Sequence, residues 1–127
     1  MTEPGVTEWP ELARFQEELR AFIQARDWDQ YQSPKNLVMA LAGEVGELLE
    51  HFQWLTEDQS RSLSAADKEA VAMELADIQI YLANLSARLG IAMGPAVARK
   101  MAINAENYPV AKARGRATKY DRLDNGD

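Results

Sequence analysis

Apolar residues recur at intervals of three and four positions in four stretches of the chain, which is the spacing of amphipathic α-helices. The alternation of apolar and polar residues that marks a β-strand is nearly absent, so the pattern predicts an all-α fold, a four-helix bundle. Proline suits the first turn of helices that begin near Pro10 and Pro34, and Gly90 suits the end of the third helix. The predicted helices span, in order, residues 10–27, 34–55, 65–89 and 95–108.

Local signals at the helix ends refine this pattern. Ser64 followed by Asp67 resembles a capping box, with Asp in place of Glu, at the start of the third helix. Pro109 ends the fourth helix, and residues 110–127 then carry several basic side chains with few apolar ones. The sequence therefore predicts a single domain over residues 1–127, whose residues 110–127 form an extended C-terminal tail.

Length and composition narrow the class of protein. The chain has 127 residues, enough for one domain with its own core, and no cysteine, which excludes disulfide frameworks and cysteine-based metal sites. Its net charge of −6 argues against binding to a nucleic acid polymer, which needs a basic surface. No stretch reaches the ~18 apolar residues of a membrane span, and the first residues lack the features of a signal peptide. We expect a soluble cytoplasmic protein with no membrane partner.

Two pairs of acidic residues stand out on the second and third helices: Glu44 with Glu47, and Glu74 with Asp77. Residues three apart are neighbours on a helix surface, where like charges repel, so a purely structural helix gains nothing from such a pair. At about 100° per residue, both pairs lie on the same rotational side of the apolar stripe of their helix. Each pair also lies about 15 Å from the loop that joins the two helices.

A short loop makes the second and third helices antiparallel neighbours, so the same rotational side of each helix faces one flank. The four carboxylates are therefore predicted to converge. Two charges about 4 Å apart repel by roughly 4 kcal/mol at an effective dielectric constant of about 20, so such a cluster needs a cation. Oxygen ligands favour a hard ion, which here means Mg²⁺ or Mn²⁺.

Two other interpretations of these acids stay open. One is that they are solvated surface residues on amphipathic helices. The other is a ferritin-like di-iron site, but such a site uses two Glu-x-x-His motifs and the chain has a single histidine, His51. His51 lies one turn beyond Glu47 on the same flank, a position typical of a surface residue or of an indirect neighbour of the site.

Several short motifs follow one another over roughly residues 15 to 120. They are Arg26-Asp27-Trp28, Ser33-Pro34-Lys35-Asn36-Leu37, the stretches 43–48 and 74–82 with the paired acids, Phe52-Gln53-Trp54, Lys100-Met101 with Asn104, Tyr108-Pro109-Val110, Arg114-Gly115-Arg116 and Lys119-Tyr120. In this order they resemble the all-α nucleoside triphosphate pyrophosphatases of the MazG-like superfamily, and within it the dCTP pyrophosphatase branch. The chain departs from the better-known animal members at Leu19, where they carry histidine.

The resemblance implies Mg²⁺-dependent hydrolysis of a nucleoside triphosphate, dCTP or a modified dCTP, to the monophosphate and pyrophosphate, as in nucleotide-pool house-cleaning. It implies that the metal-binding and catalytic residues are Glu44, Glu47, Glu74 and Asp77. It also implies a homo-oligomer, a dimer-based tetramer.

The resemblance extends to the substrate contacts. Aromatic residues of the family's base pocket match Trp28 and Trp54, and Tyr81 and Asn104 match residues that also line the site. Asn104 lies on the apolar stripe of its helix, where an amide needs a hydrogen-bond partner. Further substrate contacts are expected from the remaining polar and basic residues of the matching motifs, Lys100, Tyr108, Arg116 and Lys119.

Two alternative functions remain. The first keeps the reaction and changes the substrate, as in a broad-specificity NTP pyrophosphatase or a dUTP pyrophosphatase. The second is a non-catalytic helical interaction module whose acids bind divalent ions. A panel of nucleotides separates the substrates, and metal binding without turnover identifies the module.

Overall fold

The computed structural model describes residues 8–125, and this part of the chain forms α-helices without a β-strand. The all-α prediction is confirmed, and the four longest helices correspond to the four that apolar spacing predicts. The helices are α1 (Pro10–Ala25), α2 (Pro34–Glu50), α3 (Glu57–Ser60), α4 (Ala65–Arg88), α5 (Met93–Asn107) and α6 (Val110–Ala113), with 3₁₀ turns at Asp29–Tyr31 and Tyr120–Asn125.

The described residues fall into two compact units. One comprises Pro10–Ile91 and holds α1 to α4, and the other holds α5 and α6. In the first unit α2 packs along α4 as a helical hairpin, and α1 packs on α4 as well. Its buried apolar side chains come from these three helices: Ile23, Leu37, Val71 and Ala83. The single domain over residues 1–127 stays a prediction.

Side-chain caps set the start of both helices of the hairpin. Ser33 precedes α2, and its Oγ accepts a hydrogen bond from the backbone N–H of Asn36 at 3.2 Å. Ser64 precedes α4 and accepts in the same way from the N–H of Asp67 at 3.1 Å. Each cap satisfies a backbone donor that has no partner within the helix. Ser64 is thus confirmed as the N-cap of α4.

Gly90 ends α4 as predicted. Its φ of 67° lies in the left-handed region that glycine adopts without a steric penalty. The N–H of Gly90 donates to Ala87 O at 3.1 Å and the N–H of Ile91 donates to Ser86 O at 2.9 Å. These two bonds close the last turn of the helix.

Helix α2 ends at Glu50, before the predicted end at residue 55. The reason is the cap of α3: Thr56 Oγ1 accepts from the N–H of Gln59 at 3.1 Å, while Gln59 Oε1 accepts from the N–H of Thr56 at 2.9 Å. This capping box holds Thr56 in an extended conformation, so the chain must leave α2 through turns at 51–55.

The C-terminal segment is more folded than the predicted extended tail, with α6 and a 3₁₀ turn inside residues 110–125. Polar contacts replace the apolar core that this segment lacks. Lys112 pairs with Asp124, and Arg116 Nη1 donates to Leu123 O at 3.1 Å. Leu123 itself is buried. The predicted tail residues 126 and 127 lie outside the described residues.

None of the helices within residues 8–125 combines the length and the apolar character that a membrane crossing requires.

Candidate metal centre

The α2–α4 hairpin brings three of the four predicted acids together. Glu44 of α2 and Glu74 and Asp77 of α4 each offer one carboxylate oxygen, and these oxygens all lie within 4.8 Å of one another. Glu74 and Asp77 lie on one face of α4 because they are three residues apart. Side chains on the two facing helices therefore form one cluster, the acidic cluster, defined by Glu44, Glu74 and Asp77.

Glu47 lies at the edge of this cluster. It is exposed, and its side chain shares a hydrogen bond with that of Glu44, one turn away. Desolvation by burial, this hydrogen bond and the charges of Glu47, Asp77 and Glu74 raise the pKa of Glu44 from 4.5 to about 7. A raised pKa is expected when several carboxylates lie close together without a positive charge beside them.

Two oxygens of the acidic cluster are buried without a hydrogen-bond partner among the described residues: Oε2 of Glu44 and Oε2 of Glu74. A buried carboxylate oxygen without a partner is costly, because it has lost its water and gained nothing in return. A divalent cation would supply the missing interaction, and a set of carboxylate oxygens is the donor set that Mg²⁺ and Mn²⁺ prefer. The residues present therefore fit the metal that the resemblance implies.

His51 contacts this cluster. The sequence predicts it as a surface residue or an indirect neighbour of the site. Its Nε2 lies 3.7 Å from Oε1 of Glu74. His51 follows the last residue of α2, where its backbone N–H bonds to the carbonyls of Leu48 and Leu49. The sequence signal for this contact is its position one turn beyond Glu47.

The two tryptophans predicted to bind a base have different surroundings. Trp28 follows α1 and is bonded to its last turn. Asp27 adopts a left-handed φ of 53°, and the N–H of Trp28 donates to Ile23 O at 3.0 Å. The Trp28 ring packs edge-on against Phe22, with centroids 6.0 Å apart, and remains 45% exposed. Trp54 lies in the turns after α2 and is 85% exposed. Both rings are therefore accessible to solvent, Trp54 more than Trp28.

A polar network, which sequence reasoning missed, ties the segment after α1 to α4. Asn84 is buried, and its Nδ2 donates to Gln32 Oε1 at 2.8 Å. Arg88 donates from Nε to Asn84 Oδ1 at 3.3 Å and from Nη2 to Asp29 Oδ1 at 2.6 Å. The available signal was an asparagine in the middle of a mostly apolar helix. The network fixes the segment that carries Trp28.

Tyr81 is half-buried on α4, one turn beyond Asp77. Leu19, the departure from the animal proteins, lines a groove of about 410 Å³ between α1 and α4 together with Arg20 and Arg88. The acidic cluster does not line this groove.

The remaining predicted substrate contacts lie in the second unit. Lys100 and Lys119 are exposed, and Asn104 is partly buried on α5. Tyr108 packs edge-on against Tyr120 with ring centroids 6.0 Å apart, and its hydroxyl accepts from the Tyr120 N–H at 3.2 Å. Nε and Nη2 of Arg116 are buried without a hydrogen-bond partner among the described residues. Tyr108 and Arg116 thus have contacts that order their own unit, and their role toward a substrate stays a prediction.

Comparison with known proteins adds independent findings. The model of the MazG-like family matches residues 39–123. Proteins called dCTP pyrophosphatase 1 are 44% identical to this chain in Bos taurus and 43% identical in Homo sapiens, over 107 residues. The alignments cover 83% of this chain and 63% of each relative, so the chain spans less than two thirds of their length. The crystal structure of a pyrophosphatase from Archaeoglobus fulgidus DSM 4304 is 38% identical with a TM-score of 0.73, covering 78% of this chain and 93% of that chain.

Proposed function

The chain belongs to the MazG-like family, and from this premise we propose that it hydrolyses a nucleoside triphosphate, with dCTP or a modified dCTP as the first candidate, to the monophosphate and pyrophosphate. The observation that carries the proposal is the acidic cluster, whose three carboxylates lie within 4.8 Å and include two buried oxygens without a partner. The names of the relatives support both the reaction and the first choice of substrate.

In this proposal Glu44, Glu74 and Asp77 hold a divalent ion, Mg²⁺ first and Mn²⁺ as a substitute. When bound, the ion offsets the charge of the phosphate groups and makes the phosphorus more electrophilic. The protein contributes the hairpin: α2 and α4 hold the backbones from which the three carboxylates project, so the cluster forms without the substrate. Such preorganisation avoids reordering the site during the reaction.

Glu47 is the residue we assign as general base. It is exposed and one turn from Glu44, so a water molecule can reach it from solvent. The water oxygen forms a bond to the α-phosphorus, the bond from that phosphorus to the bridging oxygen breaks, and pyrophosphate leaves. The proton of the water goes to the Glu47 carboxylate.

Trp28 and Trp54 are assigned to the base and Tyr81 and Asn104 to the base or sugar. The exposure of the two tryptophans supports the first assignment, because an accessible indole ring can stack on a base. Arg116 and Lys119 are assigned to the phosphates, and Lys100 and Tyr108 are assigned as further substrate contacts.

The test is incubation of the protein with each common dNTP and NTP plus Mg²⁺, with product identification. We expect dCMP and pyrophosphate from dCTP, and loss of turnover in Glu74→Gln. Orthophosphate together with dCDP, in the absence of added inorganic pyrophosphatase, would contradict the assignment. Turnover of many nucleotides would indicate a broad-specificity NTP pyrophosphatase, and a preference for dUTP would indicate a dUTP pyrophosphatase. Metal binding without turnover of any nucleotide would indicate the non-catalytic interaction module.

We also propose that copies of the chain assemble, as a dimer-based tetramer. Leu75 and Leu82 of α4 and Leu89, the residue that follows it, are spaced seven positions apart and are 44–50% exposed. On α2, Val45 and Leu49 are exposed to a similar degree. A second copy packed on these helices would cover them, which is the usual origin of apolar stripes on a helix surface. The cytoplasmic location stays a prediction.

A further inference from the structure

His51 lies beside the acidic cluster, and the proposed reaction gives it no role. Its backbone is held by the last turn of α2, through hydrogen bonds from its N–H to Leu48 O and Leu49 O. The imidazole Nε2 lies 3.7 Å from Oε1 of Glu74, across the seam between α2 and α4. The side chains of both residues are partly buried, at 33% and 19% exposure.

The two oxygens of Glu74 therefore have different surroundings. Oε1 faces the imidazole, whereas Oε2 is buried and lacks a hydrogen-bond partner among the described residues. The terminal torsion of a glutamate side chain is broad and roughly two-fold, so the carboxylate does not fix its own orientation. A donor on one oxygen is what fixes which oxygen is offered to a ligand, and carboxylates that bind metals are commonly held by such a donor.

We propose that His51 is a positioning residue of the metal centre: its Nε2–H holds Oε1 of Glu74, so that Oε2 stays available to the cation. The distance of 3.7 Å exceeds the ~3.2 Å of a direct N–H···O bond, so the proposal requires Oε1 to move toward Nε2, and the soft terminal torsion of Glu74 gives it the freedom to do so. This inference rests on the metal site of the proposed function, and it does not require that the bound substrate be a nucleotide.

The experiment measures the affinity for Mn²⁺ and Mg²⁺ without nucleotide, in wild type, His51→Leu and His51→Gln. Leucine keeps the bulk of the imidazole and removes the donor, so we expect affinity to fall by about 10–100-fold. Glutamine carries an amide N–H near the position of Nε2, so we expect it to restore most of the loss. Gln53→Leu, at an exposed position of the same turn, is the matched control and should bind the ion as wild type does.

A second measurement needs no substitution at all. The chain has one histidine, so the imidazole signals in an NMR spectrum of tag-free protein report on His51 alone. Saturating Mg²⁺ should shift the Nε2 resonance and slow the exchange of its proton, because the hydrogen bond to Glu74 shortens. Paramagnetic Mn²⁺ should broaden the same signals strongly.

Three results would overturn the inference: wild-type affinity in His51→Leu, no advantage of His51→Gln over His51→Leu, or imidazole signals that neither ion changes. Failure of the proposed function is distinguishable. A protein whose Mn²⁺ affinity depends on Glu74 and on His51, but which cleaves no nucleotide, refutes the reaction and leaves the inference standing. A protein that cleaves nucleotides with unchanged metal affinity in His51→Leu refutes the inference alone.

Discussion

At the scale of single residues, Glu44 links the charge of the site to the stability of the fold. Its pKa is raised from 4.5 to about 7, so between these pH values the folded chain keeps a proton that the unfolded chain releases. The native state then binds more protons than the unfolded state, and the free energy of unfolding falls as pH rises through this window. Above pH 7 the loss is complete, because Glu44 is charged in both states.

We therefore expect Glu44→Gln to remove a pH-dependent penalty. In EDTA, the melting temperature of the mutant relative to wild type should be higher at about pH 8 than at about pH 5, since only wild type carries the buried charge at the higher pH. Thermal melts of both proteins across this range measure the effect. Added Mg²⁺ should reverse it by stabilising wild type more than the mutant. A difference between the two proteins that does not change with pH would contradict the origin of the raised pKa.

Trp28 and Trp54 give a second prediction at this scale. Replacing either with Ala should weaken nucleotide binding by about 1–3 kcal/mol, the value of one base–aromatic stack. The measurement is calorimetric binding of the monophosphate product together with KM for the triphosphate. Trp9→Ala is the matched control, because Trp9 is exposed to a similar degree as Trp28 and has no assigned role. Normal binding in both mutants would place the base elsewhere.

At the scale of secondary-structure elements, the ends of α1 and α4 use the same capping geometry with different residues. The left-handed position is occupied by Asp27 with φ 53° after α1 and by Gly90 with φ 67° after α4. In each case the next residue donates its N–H back into the helix, from Trp28 to Ile23 and from Ile91 to Ser86. Only Asp27 carries a Cβ in this conformation, and it therefore bears a steric penalty.

Asp27→Gly should relieve that penalty and stabilise the protein by roughly 0.5–1 kcal/mol. The matching change in the opposite direction, Gly90→Ala, should destabilise by a similar amount. Urea unfolding of the two variants beside wild type measures both. If Asp27→Gly is less stable than wild type, the aspartate makes a compensating interaction and the cap alone does not account for its presence.

The network around Asn84 belongs to the same scale, because it joins two elements. Asn84→Ala leaves Gln32 Oε1 and the Nε of Arg88 without their partner, which should cost about 1–3 kcal/mol of unfolding free energy. Gln30→Ala removes only an exposed hydrogen bond, from Gln30 Nε2 to Asp27 O, and should change stability less. Denaturant unfolding compares the two. An equal effect of both substitutions would show that the network does not hold the segment.

The sequence predicts the elements that have a local signal. It does not predict features that depend on competing signals in adjacent segments or on contacts between separate residues. The helices follow from apolar spacing, and the caps at Ser64 and Gly90 follow from residue type. The approach of Glu44 to Glu74 and Asp77 follows from rotation along two antiparallel helices. The end of α2 was missed because apolar spacing continues to Leu55, while the capping box at Thr56 stops the helix earlier. The folded C-terminal segment was missed because its contacts join pairs such as Lys112 and Asp124, which periodicity does not report.

At the scale of the whole molecule, the buried core is small for the apolar content of the chain. Among the described residues the buried apolar side chains are five, whereas large apolar side chains that are at least 37% exposed include most of one stripe of α4. Such surface is unfavourable in water at roughly 25 cal/mol per Å². Covering this apolar surface would therefore stabilise the described part of the chain.

The corresponding prediction concerns concentration. If copies cover these surfaces, dilution favours dissociated chains, so the melting temperature should rise with protein concentration. Differential scanning calorimetry over a wide dilution series, with light scattering for the mass, measures both. Leu82→Glu, which places a charge in the exposed stripe of α4, should lower the mass and abolish the concentration dependence. A monomer whose melting temperature is constant on dilution would contradict the assembly.

The exposed stripe of α4 also bears on what happens to a newly made chain in a cell. If copies assemble as proposed, a chain that has not yet met another copy presents Leu75, Leu82 and Leu89 to chaperones and proteases, which recognise such surface. The waiting time depends on the encounter rate and hence on expression level, so scarce chains are degraded disproportionately. Steady-state abundance would then increase more steeply than synthesis rate, and a substitution in this stripe would reduce the amount of protein while leaving the chemistry of the metal centre untouched.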